Sequence, residues 1–208
     1  MRTQPPRATI MLSVAIGAAY VLFAVTGQAD NAALLGGFIP ARLGGPPMPS
    51  ALPVWVTPLS ATLLHGGILH LVFNLIMLGY CGRETEVAVG PGAVALLFLV
   101  GAYAAAAMQY AVDPTSTVPM IGASGAISAI VGAYAILYGQ RRPSKLSPGV
   151  ARWVHIAWLA AGWTGLQLLV GYATRLDGMA VAVAAHIGGF IAGLLLARPL
   201  LMWRYRRA

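Results

Sequence analysis

The chain has 208 residues, 59% of them hydrophobic and only 9% charged, with a formal net charge of +8. Soluble domains carry about 25% charged residues, so this composition excludes a water-covered globule and points to lipid as the solvent. The bases sit at the ends of apolar runs, a topology signal that argues against a nucleic-acid partner, and the single cysteine, Cys81, excludes an internal disulfide and reads as a small apolar filler.

Six apolar segments follow one another: Thr9–Val25, Thr57–Gly79, Pro91–Ala111, Gly122–Gly139, Val150–Tyr172 and Met179–Leu201. Most approach the roughly 20 residues that cross a bilayer as a helix. No internal repeat or separate soluble domain interrupts them, so residues 1–208 read as one all-α polytopic membrane domain. The first segment, preceded by Arg2 and Arg7, also fits a signal peptide with Ala29 at a cleavage site. The expectation adopted is that it stays, because its loss leaves five helices and separates the termini across the membrane. Residues 40–58 are rich in Pro and Gly and form a long first loop; Leu52, Val54 and Trp55 suit it to the membrane interface.

The second segment carries His65, His70 and Asn74. Polar groups in hydrocarbon cost free energy, so each is a candidate for function. His70 and Asn74 are four residues apart and share a helix face; both can donate to a developing negative charge. His65 lies about 140° further round and is expected to hold a loop or a neighbour. The fourth segment is short: Ser124 to Gly139 is 16 residues, about 24 Å of helix against a hydrocarbon core of about 30 Å. Its start is therefore expected below the outer surface, with the stretch holding Pro114 and Pro119 dipping into the membrane. Irregular backbone at that depth must be buried in protein or line a water-filled cavity, and a hydrolase needs water. Ser124 lies in Gly122-Ala123-Ser124-Gly125. Small residues at a helix start leave amides free to converge on an oxyanion, although small residues and serine also serve ordinary helix packing.

In the fifth segment His155 lies near the inner end and reads as an interfacial histidine. In the sixth, His186 is followed by Gly189 and Gly193 on its own face, a GxxxG pattern that permits close helix approach. Ser124, Ser128 and Gly132 form one face of the fourth segment, and packing the two faces brings Ser124 toward His186. Gly188 points about 100° away from Gly189, so substitution there is expected to be milder. Counting from the nearest bases, His70 lies 13 residues from Arg83, Ser124 17 from Arg141, and His186 12 from Arg198. These correspond to roughly 20, 25 and 18 Å, so three helices can present a serine and two histidines at one level.

Orientation follows from the bases. With both termini in the cytoplasm, Arg2, Arg7, Arg83, Arg141, Arg142, Lys145, Arg152, Arg198, Arg204, Arg206 and Arg207 lie inside, and only Arg42 and Arg175 lie outside. Asp30, Asp113 and Asp177 then fall in external loops, so the paired embedded aspartates of an aspartyl intramembrane protease are missing. No His-Glu-x-x-His helix exists for a zinc type.

His65-x4-His70-x3-Asn74, Gly122-Ala123-Ser124-Gly125, and Ala185-His186 with Gly189 and Gly193 together resemble the rhomboid signature in order and helix placement. Glu86 is similar to the family's acidic residue after the second segment. The resemblance spans residues 55–200. It implies a six-transmembrane-helix rhomboid-like bundle and an intramembrane serine protease that cuts transmembrane protein substrates in the lipid bilayer. Ser124 would be the nucleophile and His186 the general base of a Ser–His dyad. His70, Asn74 and the Ser124 amide would form the oxyanion hole, with Gly125, Gly189 and Gly193 in helix packing; no metal or other cofactor is implied. Two positions depart from the family's pattern. Trp55 is followed by Val56 where many members carry Trp-Arg, and Ser128 stands where some carry an aromatic that stacks on the histidine. The alternative is a proteolytically inactive rhomboid-like protein that binds membrane helices; a second, less supported one is a small transporter. Short loops and no transit-type extension point to a bacterial inner membrane.

Overall fold

A computed structural model describes residues 5–139, 147–176 and 182–206, with backbone alone for 170–176. Arg2, Arg141, Arg142, Lys145, Asp177, Met179 and Arg207 lie outside the described residues, as does the Arg175 side chain.

The regular elements among the described residues are helices. The helices are α1 (Arg7–Thr26), α2 (Ala29–Gly36), α3 (Thr57–Ser60), α4 (Ile68–Met77), α5 (Arg83–Val89), α6 (Pro91–Val112), α7 (Ser124–Tyr138), α8 (Pro148–Leu176) and α9 (Val183–Tyr205). By length and apolar character α1, α6 and α9 can each cross a membrane, and the bent pair Thr57–Leu63 plus Ile68–Val89 supplies a fourth crossing if counted as one. The apolar side chains on the outside fit that reading. On α4, Ile68, Leu69, Val72, Phe73 and Ile76 are exposed, whereas Leu71 and Asn74 are buried. That pattern is the reverse of a helix in water, and it is what a lipid-facing helix with a polar interior requires.

The second segment needs correction. It does not run as one helix from Thr57: the piece Thr57–Leu63 is bent by 104° from Ile68–Val89, with Gly66-Gly67 at the break. Two adjacent glycines lack side chains to pack and are costly in a helix. The inner end also runs further than expected, because the helix continues through a π-type turn at Leu78–Gly82 and on through Arg83 to Val89. Arg83 therefore does not mark where the segment ends, and the depth count made from it loses its anchor. The first loop is also more ordered than its Pro/Gly content implied, since a 3-10 turn at Pro40–Leu43 lies in it and α2 precedes it. It is tied down by Ser60 Oγ to the Gly36 carbonyl (2.6 Å), Arg42 Nη2 to the Leu52 carbonyl (2.6 Å) and Tyr103 Oη to the Trp55 carbonyl (3.1 Å).

Two ends of the bundle are chemically distinct. At one, the Glu86 carboxylate accepts from the amides of Ala8 (3.0 Å) and Thr9 (2.8 Å) and from the Thr9 hydroxyl (2.8 Å). A carboxylate thus satisfies the orphan amides of α1 and faces the positive end of its dipole. Arg204 Nη1 meanwhile donates to the carbonyls of Glu86 (3.1 Å) and Val87 (2.8 Å), at the opposite pole of α5. Tyr138 Oη reaches the Glu84 carbonyl, so α7 ends here too.

α7 is the centre of the molecule, buried continuously from Gly125 to Ala133 between α6 and α9. Its 15 residues span about 22 Å, so it starts well below the other end. The stretch that leads to it is satisfied by the first loop: Phe38 and Met120 exchange amide–carbonyl bonds (3.0 and 2.8 Å), Ala41 donates to Ser116 (3.0 Å), and Gly122 to Ala61 (2.9 Å). These bonds tie down the stretch expected to dip into the membrane, although Val118 within it stays exposed.

Candidate active site

The site is built where the irregular stretch becomes α7. Gly122 has φ +110°, a region L side chains rarely adopt, and a Cβ there would lie 2.6 Å from both Cε1 and Nε2 of His70 and 3.7 Å from Ser124 Oγ. Glycine is needed for conformation and for space. The contact also shows that Cε1 and Nε2 of the His70 ring from α4 lie against the backbone two residues before Ser124. The first bond of α7 runs from the Ile127 amide to the Ala123 carbonyl (2.9 Å), and amides ahead of the first bond have no partner inside a helix.

His186 Nε2 lies 2.7 Å from Ser124 Oγ. The two are 62 residues apart in sequence, and glycine packing unites them. A Cβ on Gly189 would overlap the Gly125 carbonyl oxygen and come 3.3 Å from Ser128 Cβ; one on Gly193 would overlap the Ala129 carbonyl; one on Gly132 would overlap the Phe190 carbonyl. The two small-residue faces meet as their spacing requires. Gly125 uses its missing side chain on the other flank, where a Cβ would lie 2.6 Å from Ala105 Cβ of α6. Gly188, where a milder effect is expected, has an obstruction of its own. A Cβ there would lie 2.5 Å from Met108 Cβ and 2.6 Å from the Ala104 carbonyl. It does point away from Gly189, but toward α6, because α9 is wedged between two helices.

Packing is also not all that holds His186. Its other ring nitrogen, Nδ1, lies 2.9 Å from Gln167 Oε1 on α8. One turn earlier, Trp163 stacks on Phe190 (centroids 4.8 Å apart, planes 8° apart) and its indole N–H points at the His186 carbonyl (3.4 Å). Sequence reasoning passed over Gln167. It is the one uncharged amide in the fifth apolar segment, and the rule that singled out Asn74 in the second applies to it equally.

Asn74 is buried and its Nδ2 donates to the His70 carbonyl (2.8 Å), leaving one amide hydrogen uncommitted. His65 lies beside His70, rings 4.9 Å apart, and neither of its ring nitrogens has a partner among the described residues. A cavity of about 160 Å³ reaches it from outside, lined also by Tyr20, Asp30, Ala33 and Ile121; Ser124 is not among its walls. Ser128 turns its hydroxyl back to the Ser124 carbonyl (2.8 Å) and offers no ring to His186. His155 belongs to the other end, beside Gly139 at the close of α7.

A serine hydroxyl bonded to an imidazole, with a helix start and further donors beside it, is an arrangement suited to acyl transfer. The chain is 33% identical over 140 residues to "Rhomboid protease GlpG" of Pectobacterium atrosepticum, covering 66% of this chain and 46% of the relative. It is 34% identical over 143 residues to the protein of that name from Photorhabdus laumondii, covering 69% and 45%. The namesake from Yersinia enterocolitica is 29% identical over 201 residues, covering 95% and 64%. The chain thus spans about half to two thirds of the length of these relatives. The family model described as "Rhomboid domain" matches residues 53–203, from the first loop to the end of α9. By that match, the chain belongs to the rhomboid family.

Proposed function

We propose that this chain is an intramembrane serine protease that hydrolyses peptide bonds in or near transmembrane segments of other membrane proteins. The observation that carries the reading is the 2.7 Å hydrogen bond between Ser124 Oγ and His186 Nε2 in a membrane-type bundle. In this mechanism Nε2 takes the serine proton as Oγ attacks the scissile carbonyl carbon. The carbonyl oxygen becomes an oxyanion, stabilised by the Ser124 amide, the His70 ring and the free hydrogen of Asn74. His186 then protonates the leaving amine, and water activated by the same imidazole releases the acyl group. The group facing the other ring nitrogen of His186 is the Gln167 amide oxygen and not a carboxylate.

The same reading takes six membrane crossings with both termini in the cytoplasm, in a bacterial inner membrane. Three lines support it. Arg7, Arg83 and Arg204 belong to the Glu86 end of the bundle while Arg42 belongs to the Ser124 end. Burying the start of α7 calls for an outer-leaflet site. The compared relatives are bacterial.

The test is cleavage of a model transmembrane substrate in detergent and in liposomes. Wild type is expected to cleave, and Ser124→Ala to lose cleavage entirely with an unchanged melting temperature, because alanine suits a site among small residues. No cleavage by the wild type of any transmembrane substrate would favour an inactive helix-binding relative, and full activity in Ser124→Ala would move the nucleophile elsewhere.

A further inference from the structure

We propose that Gln167 is a positioning residue for His186, fixing the tautomer and the ring rotation that leave Nε2 free to accept the Ser124 proton. This rests on the protease reading and adds a third member to its machinery. Neutral imidazole has one N–H donor and one bare nitrogen. The atom of Gln167 that faces Nδ1 is the side-chain carbonyl oxygen, at 2.9 Å. A carbonyl only accepts, so Nδ1 carries the hydrogen and Nε2 presents its lone pair to Ser124 Oγ, at 2.7 Å. With the opposite tautomer, Nε2–H would donate to the serine and no base would be available.

The placement of Gln167 supports a specific role. It is 8% exposed, whereas its neighbours Leu166, Leu168 and Leu169 are 50%, 59% and 65% exposed. An inward amide on an otherwise lipid-facing stretch costs free energy unless it is hydrogen-bonded, and among the described residues its side chain bonds to His186. The contact is also braced. Trp163 and Gln167 are four residues apart on α8, and His186 and Phe190 are four apart on α9, so each pair shares a face. Trp163 on Phe190 and Gln167 on His186 therefore form two rungs one turn apart. No ring from α7 takes over the task, because residue 128 is a serine bonded to its own helix.

Two measurements test this. The first is cleavage kinetics, with melting temperature, for Gln167→Met and Gln167→Glu. Methionine fills the space without an acceptor; glutamate keeps one at the same reach. Partners that orient a metal-bound histidine are worth about 10- to 100-fold when removed. A loss of that order in kcat with little change in KM is expected for Gln167→Met, and Gln167→Glu is expected to recover most of it. Equal losses in both, or none in Gln167→Met, would overturn the assignment. The second is nitrogen-15 NMR of histidine-labelled protein in detergent, with His186 identified by its loss in His186→Ala. Wild type should show His186 protonated at Nδ1, and Gln167→Met should lose that preference. A wild-type His186 protonated at Nε2 would overturn the proposal even if neither Gln167 variant folds. The NMR result is independent of turnover, so absence of proteolysis would sink the protease reading while the tautomer still decides the role of Gln167.

Discussion

α9 meets its two neighbours on the serine side in opposite ways. Against α7 the closest approach is made without side chains: Gly189 and Gly193 face the Gly125 and Ala129 carbonyls, and Gly132 of α7 faces the Phe190 carbonyl in return. Against α8 the contact is made by two of the larger side chains of that helix, Trp163 and Gln167. The glycine contact has no freedom, since backbone touches backbone, and it sets how far Ser124 is from His186. The side-chain contact sets which way the imidazole turns and where its proton sits. Distance and orientation are thus assigned to different helices. A variant can lose one and keep the other.

The comparison breaks most visibly at Gly189. Valine there must displace a helix, because the obstructing atom is the Gly125 carbonyl oxygen. A displacement of about 1 Å in a catalytic group can cost about 100-fold. Gly189→Val should therefore be nearly inactive in a cleavage assay even where the protein inserts and melts cooperatively. Wild-type cleavage by that variant would remove the glycine contact from the account. On the far side of the serine, α4 combines both kinds of contact, a His70 ring resting on the side-chain-free Gly122. Losing one oxyanion donor typically costs about 100- to 1000-fold in turnover. His70→Ala should fall in that range, and Asn74→Ala should lose less, since its amide is already half committed to the His70 carbonyl and water can replace it. The reverse order would exchange their roles. The smallest effect is expected from Gly188→Ala, which pushes α9 against Met108 and Ala104 of α6. Overpacking costs about 1–3 kcal/mol, so the melting temperature should drop clearly while kcat falls only modestly. A kcat loss as deep as that of Gly189→Val would mean that α6, and not α7 alone, sets the distance.

The sequence made one half of this arrangement legible and hid the other. Period-four spacing reveals faces, and Ser124-Ser128-Gly132 against His186-Gly189-Gly193 is such a pattern, so the α7–α9 contact could be anticipated. The short fourth segment likewise announced a buried helix start. Spacing says nothing about which third helix touches a face. For that reason Gln167 escaped notice, and so did the contact of Gly188 with α6. The break at Gly66-Gly67 was also missed, because an apolar run crosses it and composition alone does not mark a 104° turn. The run of helix past Arg83 was hidden by the opposite bias: a charged residue reads as a membrane end, yet Glu86 is buried there, holding the start of α1.

The most direct test of the central claim, that His186 activates Ser124, is site mapping of a fluorophosphonate probe. Folded protein in detergent is treated with the probe, digested and read by mass spectrometry. The account predicts a single phosphonylated peptide carrying the probe on Ser124, with labelling abolished in Ser124→Ala and strongly slowed in His186→Ala. Modification of a different serine, or an equal labelling rate in His186→Ala, would contradict it.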